Sequence, residues 1–193
     1  MLNPLMFPKM LMSHGEGWTF LDKVHPSVAK TFLLWVLPLS IIPPAMLLYA
    51  WHSYHEAYLS EISQVQAIGI AGLFFVTELV VVPLMGAVIQ RLGDVVGARP
   101  DYHDAFMLAA IAPTPLWIAP LALFAPSLLA NLLALSVALM ASAMLIYQGV
   151  YQTYHVKDEG QSLLLAGSVL AAGLVAWASL MILTMVSWGL IIL

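Results

Sequence analysis

Five stretches of this chain, at about residues 31–51, 65–90, 104–124, 128–150 and 162–188, are each apolar for the ~20 residues a helix needs to cross a hydrocarbon core. In hydrocarbon only helices and closed barrels satisfy their own backbone, and runs of this length are helical. The fold expected is therefore all-α: an integral membrane bundle of five transmembrane helices. With 62% of residues hydrophobic and 8% charged, the chain has too little polar surface to cover a water-soluble globule.

The spans divide the six basic residues in one way. Lys9, Lys23, Lys30, Arg91, Arg99 and Lys157 all fall in segments that alternate crossings leave on a single side. Because Lys and Arg are retained in the cytoplasm during insertion, the N-terminus is expected inside and the C-terminus outside in a multi-pass membrane protein. Tyr49, Trp51, Tyr54 and Tyr58 near the outer end of the first span, and Tyr102, Tyr147, Tyr151 and Tyr154 at inner ends, fit interfacial belts.

Two regions are expected, a cytoplasmic or interfacial N-terminal segment over 1–30 and a five-helix transmembrane domain over 31–193. Pro4 and Pro8 break any long helix at the start, and the first long apolar stretch begins only near Thr31, so no cleavable signal peptide is read. Trp18, Leu21 and Val24 recur at helical spacing, which suits a short amphipathic helix on the membrane surface. Only a few residues around Ala125, Pro126 and Ser127 separate the third and fourth spans, which must be antiparallel neighbours.

Proline is concentrated inside spans: Pro38, Pro43 and Pro44 in the first, Pro83 in the second, and Pro113, Pro115 and Pro120 in the third. Each removes a donor and frees the carbonyl four residues earlier, leaving Ala109, Ile111 and Leu116 with acceptors to satisfy. Kinks that fit curved helices together are one outcome, and a broken helix lining a cavity is the other. Small residues at Ala134, Ala138 and Ser142, and at Gly167 and Ala171, mark faces for close helix approach.

Glu78 is the one formal charge inside the five spans. A carboxylate in hydrocarbon costs about 2.5–3.5 kcal/mol on insertion scales and escapes much of this by keeping its proton, so the side chain is expected to face the bundle as a donor. A carbonyl freed by proline, Thr114 or another polar group of the bundle would accept from it. The functional alternative is proton or cation coupling at Glu78 and Thr114. At the cytoplasmic ends of the third and fourth spans, His103 with Asp104 and His155 with Asp158 make a polar cluster that could meet across the two helices. Two such pairs lack the local spacing of a dedicated metal site, so solvated side chains are expected, with no metal and no cofactor.

The net charge of −4 and the lack of any basic stripe exclude nucleic acid as a partner. With no cysteine there are no disulfides or thiolate sites. No Gly-x-Ser-x-Gly elbow, phosphate loop, His-Glu-x-x-His or intramembrane aspartate pair is present, and no catalytic residue is assigned. Gly93 and Gly97 are read as part of a loop with Arg91, Asp94 and Arg99.

From about Trp18 onward the chain resembles the bacterial branch of the Yip family, polytopic proteins named for eukaryotic members that interact with Ypt/Rab GTPases. The resemblance rests on Gly17-Trp18, on Arg99-Pro100 followed by Phe106, on Ala112-Pro113-Thr114-Pro115-Leu116, and on Leu145-Ile146-Tyr147-Gln148-Gly149. It implies five transmembrane helices, a cytoplasmic N-terminus and a multi-pass place in a bacterial inner (cytoplasmic) membrane. The acidic-Leu-Tyr-Gly-Pro element of eukaryotic members is missing, so Rab-type binding is not implied. The function expected is non-catalytic: organisation of the membrane or of partner proteins, with the bilayer and a membrane-protein partner or second copy of the chain as partners. The alternative is a small proton- or cation-coupled transporter or channel subunit built on Glu78 and the proline-broken third helix. A third class, a lipid-modifying enzyme working at the cytoplasmic ends of the third and fourth helices, is held behind both.

Overall fold

The computed structural model describes residues 17–18, 24–58, 62–154 and 158–192. Five helical segments are long and apolar enough to cross a membrane: α1 (Val28–Tyr54), α2 (Gln64–Val95), α3 (Tyr102–Phe124), α4 (Leu128–Thr153) and α5 (Glu159–Gly189). They match the five stretches read from the sequence. Among the described residues no strand occurs.

Local chemistry sets the ends. Ser27 accepts from Lys30 N at the start of α1, Ser63 and Gln66 form a reciprocal capping box on α2, and Asp101 accepts from Asp104 N at the start of α3. Ser127 caps α4, while Asn131 Nδ2 donates to the carbonyls of Ser127 and Ala125 and holds the short α3–α4 turn closed. At its far end α2 stops in a Schellman turn. Gly97 adopts φ +80, its N–H reaches Asp94 O, and Ala98 N reaches Gly93 O. Gly93 is thus the last turn of a helix and not a loop residue; the Asp94 and Arg91 beside it suggested otherwise only because polar residues at a helix end look like loop.

The prolines act unequally. Pro83 sits within an unbroken α2, where its own carbonyl accepts from Tyr102 Oη at 3.2 Å. In α1 the helix is π-wound over Phe32–Val36, turns at Ser40 and Ile41, and resumes at Ile42 before Pro43 and Pro44. In α3 the α-helix ends at Ile111, restarts at Thr114 after Pro113, and tightens to a 3-10 helix over Ala119–Phe124 around Pro120.

α1 and α3 run parallel and are stitched along their length. His103 Nε2 meets Pro26 O, Thr31 Oγ1 donates to Met107 Sδ, Trp35 Nε1 donates to Thr114 Oγ1, and Tyr54 Oη donates to Leu123 O. α2 lies antiparallel against α3, with Phe106 seated on Gly86 and the Pro100 ring on Gly93. A Cβ at Gly93 would collide with that ring. Trp18 enters the same core, 3% exposed, and packs on Gly149 of α4 beside Leu108. This corrects the expectation of a membrane-surface role for Trp18: the ring is inside the bundle, while Val24 is exposed and Leu21 lies outside the described residues.

Outward faces are aliphatic, with Val76, Val80, Leu129, Leu133, Leu164 and Val175 exposed. Hydroxyls on the spans return to their own helix, as hydrocarbon demands: Thr77, Ser136, Ser168, Ser179 and Thr184 each donate to the carbonyl four residues earlier at 2.8 Å. Of the two small-residue faces, Ala138 and Ser142 are buried, but Gly167 and Ala171 face outward. α5 packs instead through Leu165, Ala166 and Val169, because spacing shows which residues share a face but not which face turns inward.

Candidate functional site

Glu78 is 6% exposed, on the side of α2 that faces α3. Its Oε1 accepts from Trp117 Nε1 at 2.5 Å. Thr114, expected as a partner of Glu78, is instead the acceptor for Trp35 Nε1 at 3.2 Å. The break at Pro113 turns Thr114 toward α1 and sends Trp117, one turn on, back toward α2. Two indoles inside the spans therefore satisfy, and are satisfied by, the two polar side chains singled out from the sequence.

Around Glu78 opens a cleft of about 660 Å³ between α2, α3, α4 and α5. Pro113, Trp117 and Pro120 of the broken helix line one wall, Leu139 and Ser142 of α4 another, and Gly173 and Trp177 of α5 a third. Pro83 and Pro115 do not line it. Glu78 is the one ionisable residue among the lining side chains. Two polar atoms on the cleft, Glu78 Oε2 and Ser142 Oγ, are buried and have no hydrogen-bond partner among the described residues. Such atoms are expensive to leave so, at roughly 1–3 kcal/mol each. The site offers a hydrocarbon-lined volume with one carboxyl group, the hydroxyls of Ser142 and Thr184 and the amide of Asn131.

At the end of the bundle where α3 begins, His103 and Asp104 are half-buried and in contact, Nδ1 to Oδ1 at 3.3 Å. Asp158 is exposed, and its Oδ1 accepts from Gly160 N at 2.9 Å. His155 lies outside the described residues. The third member of the cluster is His25, stacked on His103 with centroids 5.1 Å apart. Tyr154, at the end of α4, is buried close by; burial, then Asp104 and Asp101, push its phenol upward from the ordinary range.

Sequence reasoning missed Trp35, Trp117 and His25, and it read Trp18 as a surface residue. Tryptophan well inside a span, away from the interfacial belts, was the signal available for Trp35 and Trp117, since a buried indole N–H calls for an acceptor. For His25 no local pattern stood out, because its partner His103 is on another helix.

Five apolar crossing helices, an aliphatic exterior and self-satisfied hydroxyls define an all-helical, multi-pass integral membrane protein. The chain belongs to the Yip1 family: the Yip1 domain matches residues 9–180. It is similar to the proteins named inner membrane protein YohC of Escherichia coli K12 and of Escherichia coli O6:H1, with 28% identity over 138 residues in each case, 71% of this chain and 70% of each relative. No solved structure matches it significantly. The family segments meet in space. Trp18 packs on Gly149, Pro100 and Phe106 on the glycines of α2, and Pro113 and Thr114 make the break in α3.

Proposed function

We propose that this chain is a non-catalytic organiser of a bacterial inner membrane that works by holding a lipid acyl chain in the cleft beside Glu78. The observation that carries this reading is the cleft itself: about 660 Å³, set among membrane spans and lined almost wholly by hydrocarbon. Its volume falls in the range of about 300–1,000 Å³ usual for small-molecule sites. What surrounds such an opening in a bilayer is acyl chain, which enters without leaving water. Association in that solvent then depends on shape and on a few polar contacts, which Glu78 and Ser142 supply. The basic residues Lys30, Arg91 and Arg99 suit an end turned toward the cytoplasm.

Cation coupling, the competing reading, has Glu78 in its favour. An ion path needs a succession of polar groups or water, and the walls around Glu78 are aliphatic. A membrane-protein partner or a second copy of the chain is the other occupant compatible with an organiser.

Native mass spectrometry of protein extracted gently from its own membrane tests the reading. The expected result is retained lipid in a fixed ratio to protein, reduced in Gly173→Phe. A Cβ at Gly173 meets nothing within 4 Å, so the new ring grows into the cleft and not into a neighbouring helix. Retained lipid unchanged by Gly173→Phe would remove the cleft from the function. A proton-linked flux in proteoliposomes that disappears in Glu78→Gln would replace organisation with transport, and a stoichiometric second protein would replace lipid as the occupant.

A further inference from the structure

Apart from the cleft, the most ordered polar cluster lies where the segment before α1 meets the first turn of α3. His103 Nε2 lies 2.8 Å from Pro26 O, and His103 Nδ1 lies 3.3 Å from Asp104 Oδ1. A backbone carbonyl can only accept, so Nε2 bears the N–H. A neutral imidazole has a single N–H, and its Nδ1 then presents a lone pair. The carboxylate opposite also presents lone pairs. In that tautomer two electron-pair donors face each other, and what lies between them is a proton or a metal ion.

The spacing admits a metal ion. Ligand bonds of about 2.0–2.1 Å around a tetrahedral ion separate two donor atoms by roughly 3.3–3.4 Å, the separation found here. The Nε2–H to carbonyl contact is the arrangement that orients a metal-bound histidine and fixes its tautomer. A third donor stands in place: ligand atoms of His25, His103 and Asp104 all lie within 4.8 Å of one another. His25 is exposed at the surface and stacked on His103, and it is followed directly by Pro26, whose carbonyl holds His103. One short segment supplies both a ligand and the group that aims another.

We propose that His25, His103 and Asp104 form a binding site for a divalent transition metal of the zinc class, two imidazole nitrogens and one carboxylate oxygen, with a fourth position open to solvent. The two histidine–aspartate pairs weighed from the sequence do not assemble as this site: Asp158 is not among the clustered donors, and His25 takes the third place. Bound metal ties the chain ahead of α1 to the start of α3, across the same end of the bundle that Trp18 plugs. The site stands apart from the cleft and does not depend on its occupant.

The test uses the full chain in mild detergent, without a polyhistidine tag, stripped with chelator and then titrated with Zn²⁺ by calorimetry, with elemental analysis after dialysis. The expected result is one equivalent per chain. Affinity should fall about tenfold or more in His25→Ala and in Asp104→Asn, while Asp158→Asn binds as the wild type does. Circular dichroism with thermal unfolding checks that both variants keep the fold. Absence of a stoichiometric ion in the wild type overturns the proposal and leaves a proton between His103 and Asp104. Binding that persists unchanged in both His25→Ala and Asp104→Asn also overturns it, since the ion would then sit elsewhere.

Discussion

Glycines tell the two halves of this bundle apart. At the end where α3 begins, Gly86, Gly93 and Gly149 each receive a bulky neighbour: Phe106, Pro100 and Trp18. Beside the cleft, Gly173 of α5 faces open space. Half of the best apolar window of α3 is buried, against 11% of that of α5. Both helices are strongly apolar, with mean hydropathy 1.8 and 2.2, so the contrast comes from shape. Where a ring fits a missing side chain, two backbones approach closely. Where the third helix breaks at Pro113 and no ring is offered to α5, the helices stand apart and leave the cleft.

The contrast can be broken first at its tightest point. Trp18→Ala removes a buried ring from the packed end and should lower stability by about 3–5 kcal/mol, read as unfolding in detergent micelles. A change below about 1 kcal/mol would mean that the ring is a bystander and the packed half owes little to it. Gly149→Ala comes next, at about 1–3 kcal/mol, because the new methyl would lie 2.6 Å from Leu108 Cδ1 and 2.8 Å from Trp18 Cζ2. Combined with Trp18→Ala its effect should shrink, and strict additivity in that double-mutant cycle would show that the two do not touch.

Between the halves stands the Trp117 contact. Trp117→Phe leaves both Glu78 oxygens without a donor and should cost about 1–3 kcal/mol, whereas Glu78→Gln keeps an oxygen for the indole N–H and should cost less than about 1 kcal/mol. Equal losses in the two variants would say that glutamine does not keep the hydrogen bond to Trp117. The smallest effect is expected from Gly173→Phe: stability within about 1 kcal/mol of the parent, since the ring enters free space and a helical glycine is replaced. A large loss there would show that the cleft wall is as tightly packed as the opposite end.

The spans were legible because hydrocarbon imposes a length on every crossing, and that length is written in consecutive residues. The break in α3 was legible for the same kind of reason, since a proline acts on its own helix. Partners were not. Glu78 and Trp117 are 39 positions apart, and Trp35 and Thr114 are 79 apart. Nothing local in the chain says that Thr114 turns to α1 while Trp117 turns to α2. The outward turn of Gly167 and Ala171 was hidden likewise: a periodic stripe of small residues fixes a face, and only the other helices decide whether that face is used. The place of His25 against His103 was hidden too, because it sits before Pro26 in a stretch that reads as a leader.

Trp18 is made early and its seat late. The chain presents the indole before any span has emerged, but Gly149 follows about 130 residues afterwards, some ten seconds at synthesis rates of about 5–20 residues per second. Until the fourth helix enters the bilayer, the ring has no groove to occupy. The packed end of the bundle therefore cannot close around Trp18 until the fourth span has followed, and a chain with only its first three spans inserted holds that ring without its seat.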